Sequence, residues 1–341
     1  MSENSKIEWT DATWNPLRGC SRKSAGCSNC YAERVAMRFS GEGQPYHGLV
    51  KMTSQGPKWT GKVLTLPDSL ATPFGWAKPR KVFVNSMSDL FHESVPFEFI
   101  ASVFAVMSVT SRHTYQVLTK RADRMVEFFR WVKDNRGCFD DDAITNRLPR
   151  DIPWRPQHDQ RRGGYDTCGP NFPYENVWLG VSVEDQATAN ERIPLLLQCP
   201  AAVRWISAEP LLGPIDLTCL EIDEMLSPTM RGRISALSTD DEDRYFQAPN
   251  ALDWVVVGGE SGPGARPMHP GWARSIRNQC EERSIPFLFK QNGEWVSVSE
   301  VDGLGEHFSF PDGATVRRAG KKLAGRTLDG RTHDEFPRGA A

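Results

Sequence analysis

The sequence predicts an α/β protein built as a complete or partial (β/α) barrel of parallel strands. Two observations lead there: short apolar runs rich in β-branched residues, as in strands covered on both faces, and amphipathic helical stretches after most of them. A first strand falls near "ATWNPLRG" (12–19). The clear ones follow at "KVFVNSMSD" (81–89), "TYQVLTKR" (114–121), "VWLGVSVED" (177–185), "VRWISAEP" (203–210), "LDWVVVGGESG" (252–262) and "IPFLFKQNG" (285–293). The segments "VPFEFIASVFAVMSV", "RADRMVEFFRWVKD", "QATANERIPLLLQC" and "PGWARSIRNQCEER" read as the intervening helices. About seven parallel strands in this rhythm suit a barrel better than an open doubly wound sheet.

The predicted barrel spans residues 1–293, with insertions at 41–78, 134–175 and 216–251 that are rich in Gly, Pro and charge. Residues 294–341 form an accessory segment in which "AGKKLAGRTLDGRTHDEFP" suggests a small β element packed on the barrel. The 41 basic and 43 acidic residues nearly balance, so a nucleic acid or anionic lipid would have to be held by a local patch. The opening "MSENSKIEWTDATW" has no basic start with an apolar core, and "FEFIASVFAVMSV" is too short to span a bilayer. A cytoplasmic protein without a membrane partner is expected.

Eight cysteines in a chain of this length argue for reduced thiols. Cys138, Cys168, Cys199, Cys219 and Cys280 are scattered and read as small apolar residues. Cys20, Cys27 and Cys30 differ, standing as C-x6-C-x2-C in "LRGCSRKSAGCSNCYAERVA". Three thiolates leave a coordination position open, on zinc or on one iron of a 4Fe-4S cluster. The long first gap favours a cluster over zinc, because one loop can wrap a body several ångströms wide and no second C-x2-C knuckle exists. A zinc site completed by a distant Cys or His, or no metal, are the alternatives. The helix after Cys30 would lower thiolate pKa values through its dipole.

Polar residues gather at the predicted C-terminal strand ends, where barrels place their reactive centres. They are Asn85, Ser86, Ser88 and Asp89; Lys120 and Arg121; Ser182, Glu184 and Asp185; Glu209; Glu260 and Ser261; Lys290 and Gln291. Against a ligand role stands a helix cap or a structural ion pair. The "GGESGPG" turn (258–264) reads either as a close approach to a ligand or as a tight βα connection. No histidines pair at i, i+4, so no mononuclear His site is expected, and His92 and His269 read as ordinary surface or packed residues. The insertion "TNRLPRDIPWRPQHDQRRGGY" sets Arg147, Arg150, Arg155, Arg161 and Arg162 beside Trp154 and Tyr165, a mixture suited to phosphates and bases. It makes nucleic acid or a nucleotide a candidate substrate.

A three-cysteine loop after the first strand of a repeating βα chain resembles the radical S-adenosylmethionine superfamily. More narrowly, "GCSRKSAGCSNCYAERVA", "VFVNSMSDLFHE", "QVLTKRADRM", "LGVSVEDQ", "ISAEPLLGPI", "VVVGGESGPGARPM" and "FKQNGEW" resemble an uncharacterised phage- and prophage-associated three-cysteine-motif family. The usual superfamily spacing is C-x3-C-x2-C with an aromatic residue before the last cysteine, whereas here Tyr31 follows Cys30. The late "GGE" does not correspond to the superfamily's amino-group motif, so that role is not carried to Glu260.

The resemblance implies S-adenosylmethionine chelated to the open iron, cleaved reductively to a 5'-deoxyadenosyl radical that acts on an unknown substrate. It also implies a low-potential flavodoxin- or ferredoxin-type donor. Asn85, Ser86, Asp89, Lys120, Ser182, Glu184 and Glu209 are then candidates for holding S-adenosylmethionine, with the carboxylates of Asp89, Glu184 and Glu209 facing ammonium or ribose and Lys120 or Arg121 facing the carboxylate. The alternative is a zinc- or cluster-stapled nucleic-acid-binding module without turnover.

Overall fold

The computed structural model describes residues 5–134, 173–222, 232–238 and 250–337. Its centre is a seven-stranded sheet: β1 (Ala12–Trp14), β2 (Lys81–Val84), β3 (Thr114–Thr119), β4 (Val177–Ser182), β5 (Val203–Ala208), β6 (Trp254–Gly258) and β7 (Phe287–Gln291). Spatial order equals chain order and every neighbouring pair is parallel. An order that never reverses sends successive crossovers the same way, leaving one helix-covered face and one concave face, unlike a doubly wound sheet. The crossovers include α2 (Phe97–Val109), α3 (Ala122–Asp134), α4 (Gln186–Leu197) and α5 (Pro270–Glu282), while α1 (Tyr31–Met37) follows the cysteine loop.

Alternation along the strands sorts the two faces. Val82, Val84, Tyr115, Val117, Leu179, Val181, Ile206, Val255 and Val257 belong to the core shared with the helices. Phe83, Trp178, Trp205, Trp254, Val256 and Leu288 cluster on the opposite, inner face. Trp9 shows how strongly the sheet curls. In a flat sheet β2 and β5 would lie about 14 Å apart. Yet Trp9 meets Phe83 of β2 and Trp205 of β5 at centroid distances of 4.7 and 5.2 Å. The result is a curled half-barrel, with β1 and β7 not paired to each other. Aromatic rings fill its lower half, and the polar strand ends form the upper rim.

The C-terminal segment does more than pack on the barrel. After a three-stranded antiparallel sheet (Trp295–Ser297, Thr315–Arg318, His307–Ser309), the tail runs antiparallel beside β7. Phe289 N–H donates to the His333 carbonyl at 3.0 Å, and Phe336 stacks on Trp254 at 5.0 Å. The tail thereby covers a strand edge that would otherwise be open.

Part of the insertion at 41–78 is ordered as a hairpin, Val50–Thr53 with Gly56–Trp59, and as a strand Leu64–Thr65 paired to Leu17–Arg18. Within 216–251, Leu220–Ile222 pairs with Gly232–Ile234. Most of 134–175 lies outside the described residues, including the Arg-rich stretch with Trp154 and Tyr165, and so do Cys138 and Cys168. No helix among the described residues is long and apolar enough to cross a membrane.

Gly180 shows how tightly the inner layer is filled. A Cβ built there would stand 2.5 Å from the Trp205 ring, which is fully buried and cannot retreat. Gly180→Ala is therefore expected to cost about 1–3 kcal/mol in a denaturant titration. Gly75→Ala, whose Cβ meets nothing within 4 Å, should be close to neutral.

Candidate metal centre at the barrel rim

The three clustered cysteines lie on one loop leaving the short strand Leu17–Arg18. Cys20 follows that strand, Cys27 ends a 3-10 turn (Ala25–Cys27) and Cys30 is the cap residue of α1. All three are free and partly buried. Cys20 and Cys30 pack against Ala32, Ala36, Leu49, Val50 and Trp59. Burial pushes the Cys20 thiol up to about 12, with Asp89 adding and Arg121 opposing, and charge on Cys30 or Cys27 would raise it further. Those couplings place the three thiols in one electrostatic neighbourhood. Burial also raises Cys30, outweighing the Glu33 and Ala32 backbone N–H groups that favour its thiolate. The expected lowering by the helix is thus present but loses to desolvation. Among the described residues no group of three or more His, Cys, Asp or Glu side chains is placed to hold a metal ion.

Between the cysteines, four residues tie the loop to buried partners. Arg121 Nη2 donates to Ser21 Oγ at 2.7 Å and to its carbonyl at 3.1 Å. Glu33 on α1, 2 % exposed, receives Arg22 Nε and Nη2 at 3.0 and 2.6 Å and the Trp59 N–H at 3.0 Å. Ser24 Oγ donates to Glu184 Oε1 at 2.8 Å. Asn29 Nδ2 donates to Glu260 Oε2 at 3.0 Å and to the Gly264 carbonyl at 2.8 Å. Gly26 lies so close to Glu184 that any Cβ there would overlap the carboxylate.

Each anchor is itself braced. Asp89 receives Arg121 Nη1 at 3.0 Å, Thr119 Oγ1 at 2.7 Å and the N–H groups of Phe91 and Lys120. Arg121 also donates to Glu93 at 2.9 Å. Glu184, fully buried, pairs with Lys120 and with Arg192 Nη1, the latter at 3.2 Å. Lys120 also donates to Ser182 Oγ at 2.6 Å, and Ser182 to the Glu209 carbonyl. Arg266 clasps Glu260 through its backbone N–H, Nε and Nη2. Burial alone would raise the Glu260 carboxyl, but Arg266 and Asn29 outweigh it and hold it below the usual range.

The rim residues singled out from sequence thus divide. Asp89, Glu184, Lys120 and Ser182 are joined by ion pairs and hydrogen bonds into a frame under the cysteine loop. Glu209 pairs with Lys290 at 2.9 Å and accepts from Ser207 Oγ at 3.0 Å. Ser86 exchanges hydrogen bonds with Asn15, and its carbonyl accepts from the Tyr31 hydroxyl. Asn85 is different. It is 3 % exposed, adopts a left-handed φ of 62°, and neither amide atom finds a partner among the described residues. A buried amide without partners costs free energy unless something meets it. The buried Gln291 Oε1 is likewise unmatched.

The "GGESGPG" turn is a tight connection that also grips the loop. Any Cβ on Gly259 would run into the Asn292 carbonyl, Glu260 and Gly264 hold Asn29, and Arg34 donates to the Pro263 carbonyl at 3.1 Å. His92 is buried, and burial followed by Arg121 lowers its pKa, so it is neutral at pH 7. Its Nδ1 accepts the Ser94 N–H, so Nε2–H donates to Ser21 Oγ at 2.9 Å. His269 caps α5 and pairs with Asp312. Cys199 and Cys280 are buried and Cys219 partly so. The sequence reading missed Ser21, Arg22, Ser24, Asn29 and Glu33 as anchors. Only Glu33, an acid between Ala32 and Ala36 on the apolar side of a helix, carried a visible signal.

The model of the family described as "Protein of unknown function (DUF5131)" matches residues 4–337. The chain belongs to the DUF5131 family. No curated protein and no solved structure matches it. In this member of DUF5131, the matched span includes both the cysteine loop and every rim residue that anchors it.

Glu184→Ala would leave Lys120 without its carboxylate and the buried Arg192 with only the longer contact to Glu191 at 3.6 Å, and is expected to cost about 3–5 kcal/mol in equilibrium unfolding. Ser24→Ala, losing one hydrogen bond to a charged acceptor, should cost about 1.5–3 kcal/mol. The Glu260 contact carries a pH signature. A carboxyl whose folded pKa is depressed stabilises the protein above its unfolded pKa and loses that contribution as pH falls through the folded one. Thermal melting from pH 6 towards pH 3 should therefore fall less steeply in Glu260→Gln than in the parent.

Proposed function

We propose that this DUF5131 protein is a radical S-adenosylmethionine enzyme whose Cys20, Cys27 and Cys30 hold a 4Fe-4S cluster. The observation that carries the reading is the division of labour in the loop: Ser21, Arg22, Ser24 and Asn29 are fixed by buried partners, while none of the three thiols is in a disulfide and Cys20 Sγ reaches only the neighbouring Ser21 carbonyl, at 3.4 Å. A loop tied down only by its non-cysteine residues presents its thiols to something else. Soft thiolates from one wrapped loop suit an iron-sulfur cluster. Held by Cys20, Cys27 and Cys30, such a cluster would supply low-potential electrons, drawn from a flavodoxin- or ferredoxin-type donor, for reductive chemistry on S-adenosylmethionine.

The chain's own residues then position and shield. Glu184, Arg121, Glu33 and Glu260 fix the loop on the rim. The Trp9, Trp178, Trp205 and Trp254 layer closes the half-barrel below and keeps water from entering that way. The unpartnered Asn85 amide, one donor beside one acceptor, suits a polar ligand at the strand ends, and Ser86 and Glu209 stand on the same rim. Their candidate role is to orient S-adenosylmethionine.

Anaerobic reconstitution tests the reading. Cys20→Ala, Cys27→Ala and Cys30→Ala should each sharply lower bound iron and acid-labile sulfide, whereas Cys199→Ala, Cys219→Ala and Cys280→Ala should not. Stoichiometric zinc without sulfide would favour the stapled binding module instead. Asn85→Ala should keep the iron and weaken S-adenosylmethionine in a calorimetric titration.

A further inference from the structure

We infer that the lobe formed by residues 16–66 is a docking surface for single-stranded nucleic acid, which brings a strand to the cysteine loop. The charge of the chain is divided unevenly. Residues 16–66 carry eight basic side chains against two acidic ones, leaving 33 basic and 41 acidic residues for the rest of the chain. A protein with net charge −2 thus concentrates about +6 in the roughly one-seventh of its length that holds the three cysteines. One of the two acids, Glu33, is buried against Arg22. Arg38, Lys51 and Lys62 are exposed, Arg18 and Lys58 partly so, and none of the five forms an ion pair among the described residues. Surface cations left unpaired beside an otherwise acidic body steer a polyanion to one place.

Exposed rings occur on the same lobe. Of the seven largely exposed large hydrophobic side chains among the described residues, Tyr31, Phe39, Met52 and Leu64 lie here. Tyr31 directly follows Cys30 and is 50 % exposed, yet its hydroxyl is tethered to the Ser86 carbonyl. A ring held at its far end with a face in water is a stacking platform, and stacking requires an unpaired base. Unpaired cations with a fixed ring fit repeated phosphates and bases better than the surface of an acidic protein. The lobe packs on the loop itself, Ala32, Leu49, Val50 and Trp59 meeting Cys20 and Cys30, so a bound strand lies beside the thiols. This rests on the cluster reading only for what the strand is presented to. Binding by the lobe is independent of iron.

The test is fluorescence anisotropy of the full chain, iron-free and reconstituted, with labelled single-stranded DNA, single-stranded RNA and duplex DNA between low and physiological salt. Single strands should bind with affinity that falls as salt rises. The combined Lys51→Gln, Lys58→Gln and Lys62→Gln variant should flatten the slope of log affinity against log salt by about 0.7 per lost contact. Tyr31→Ala should weaken binding roughly five- to 150-fold while Tyr31→Phe retains it. Lys321→Gln with Lys322→Gln, exposed but remote in sequence, should change neither. Circular dichroism melting of each variant separates lost binding from lost fold. Wild-type protein without salt-dependent affinity for any strand, or lobe variants that bind like the parent, would overturn the inference. So would an acidic flavodoxin binding in place of the oligonucleotides and released by the same lysine substitutions, which would make the lobe the docking face of an electron carrier. A chain that binds strands but takes up no iron and sulfide on reconstitution would refute the cluster and leave the lobe standing.

Discussion

The site depends on a carboxylate that solvent does not reach. Glu184 stands at the end of β4 with Lys120 from β3, Arg192 from α4 and Ser24 from the cysteine loop converging on it. Such a group is tolerated only when every partner stays in place, because removing one leaves charge in a poorly solvated interior. Two strand ends, one helix and one loop are thereby locked to one geometry. The same logic repeats around the rim, where Asp89 holds Arg121 and Arg121 holds Ser21, and where Arg266 holds Glu260 and Glu260 holds Asn29. The cysteine loop inherits its shape from the barrel.

The half-barrel supports that rim by separating its two ends chemically. Below, tryptophans and phenylalanines from β2, β4, β5 and β6 meet Trp9 and Phe336, so both ends of the described chain help fill the curled sheet. Above, ionic and hydroxyl groups replace them at the strand ends. Gly180 and Gly26 mark where each layer is tightest, one under the Trp205 ring and the other against Glu184. Positions where a methyl group cannot fit are positions the fold has already filled.

Much of this was legible in the sequence. Six strand runs and the first strand near Ala12–Trp14 appeared where periodicity placed them, because strands buried on both faces are nearly continuously apolar. The clustering of polar residues at strand ends was also readable, since Asn85, Asp89, Lys120, Glu184 and Glu209 each follow an apolar run. Which of them face one another was not. Spacing within a strand cannot say that Glu184 meets Ser24 across 160 positions, or that Asn29 reaches Glu260. A carboxylate that braces a loop and one that binds a ligand look identical until their partners are known. Nor could spacing show that the tail at 333–336 closes the β7 edge, because that pairing has no counterpart in its own pattern.

The central claim is that three thiolates on a pre-shaped loop hold a cluster with one iron left open for S-adenosylmethionine. Electron paramagnetic resonance of the reconstituted, reduced protein, recorded with and without S-adenosylmethionine, tests it most directly. The account predicts a reduced cubane signal whose shape changes when the ligand is added, because the ligand enters the coordination sphere of the open iron. A signal indifferent to S-adenosylmethionine, or no iron-sulfur signal from protein that is folded and fully supplied with iron and sulfide, would contradict it.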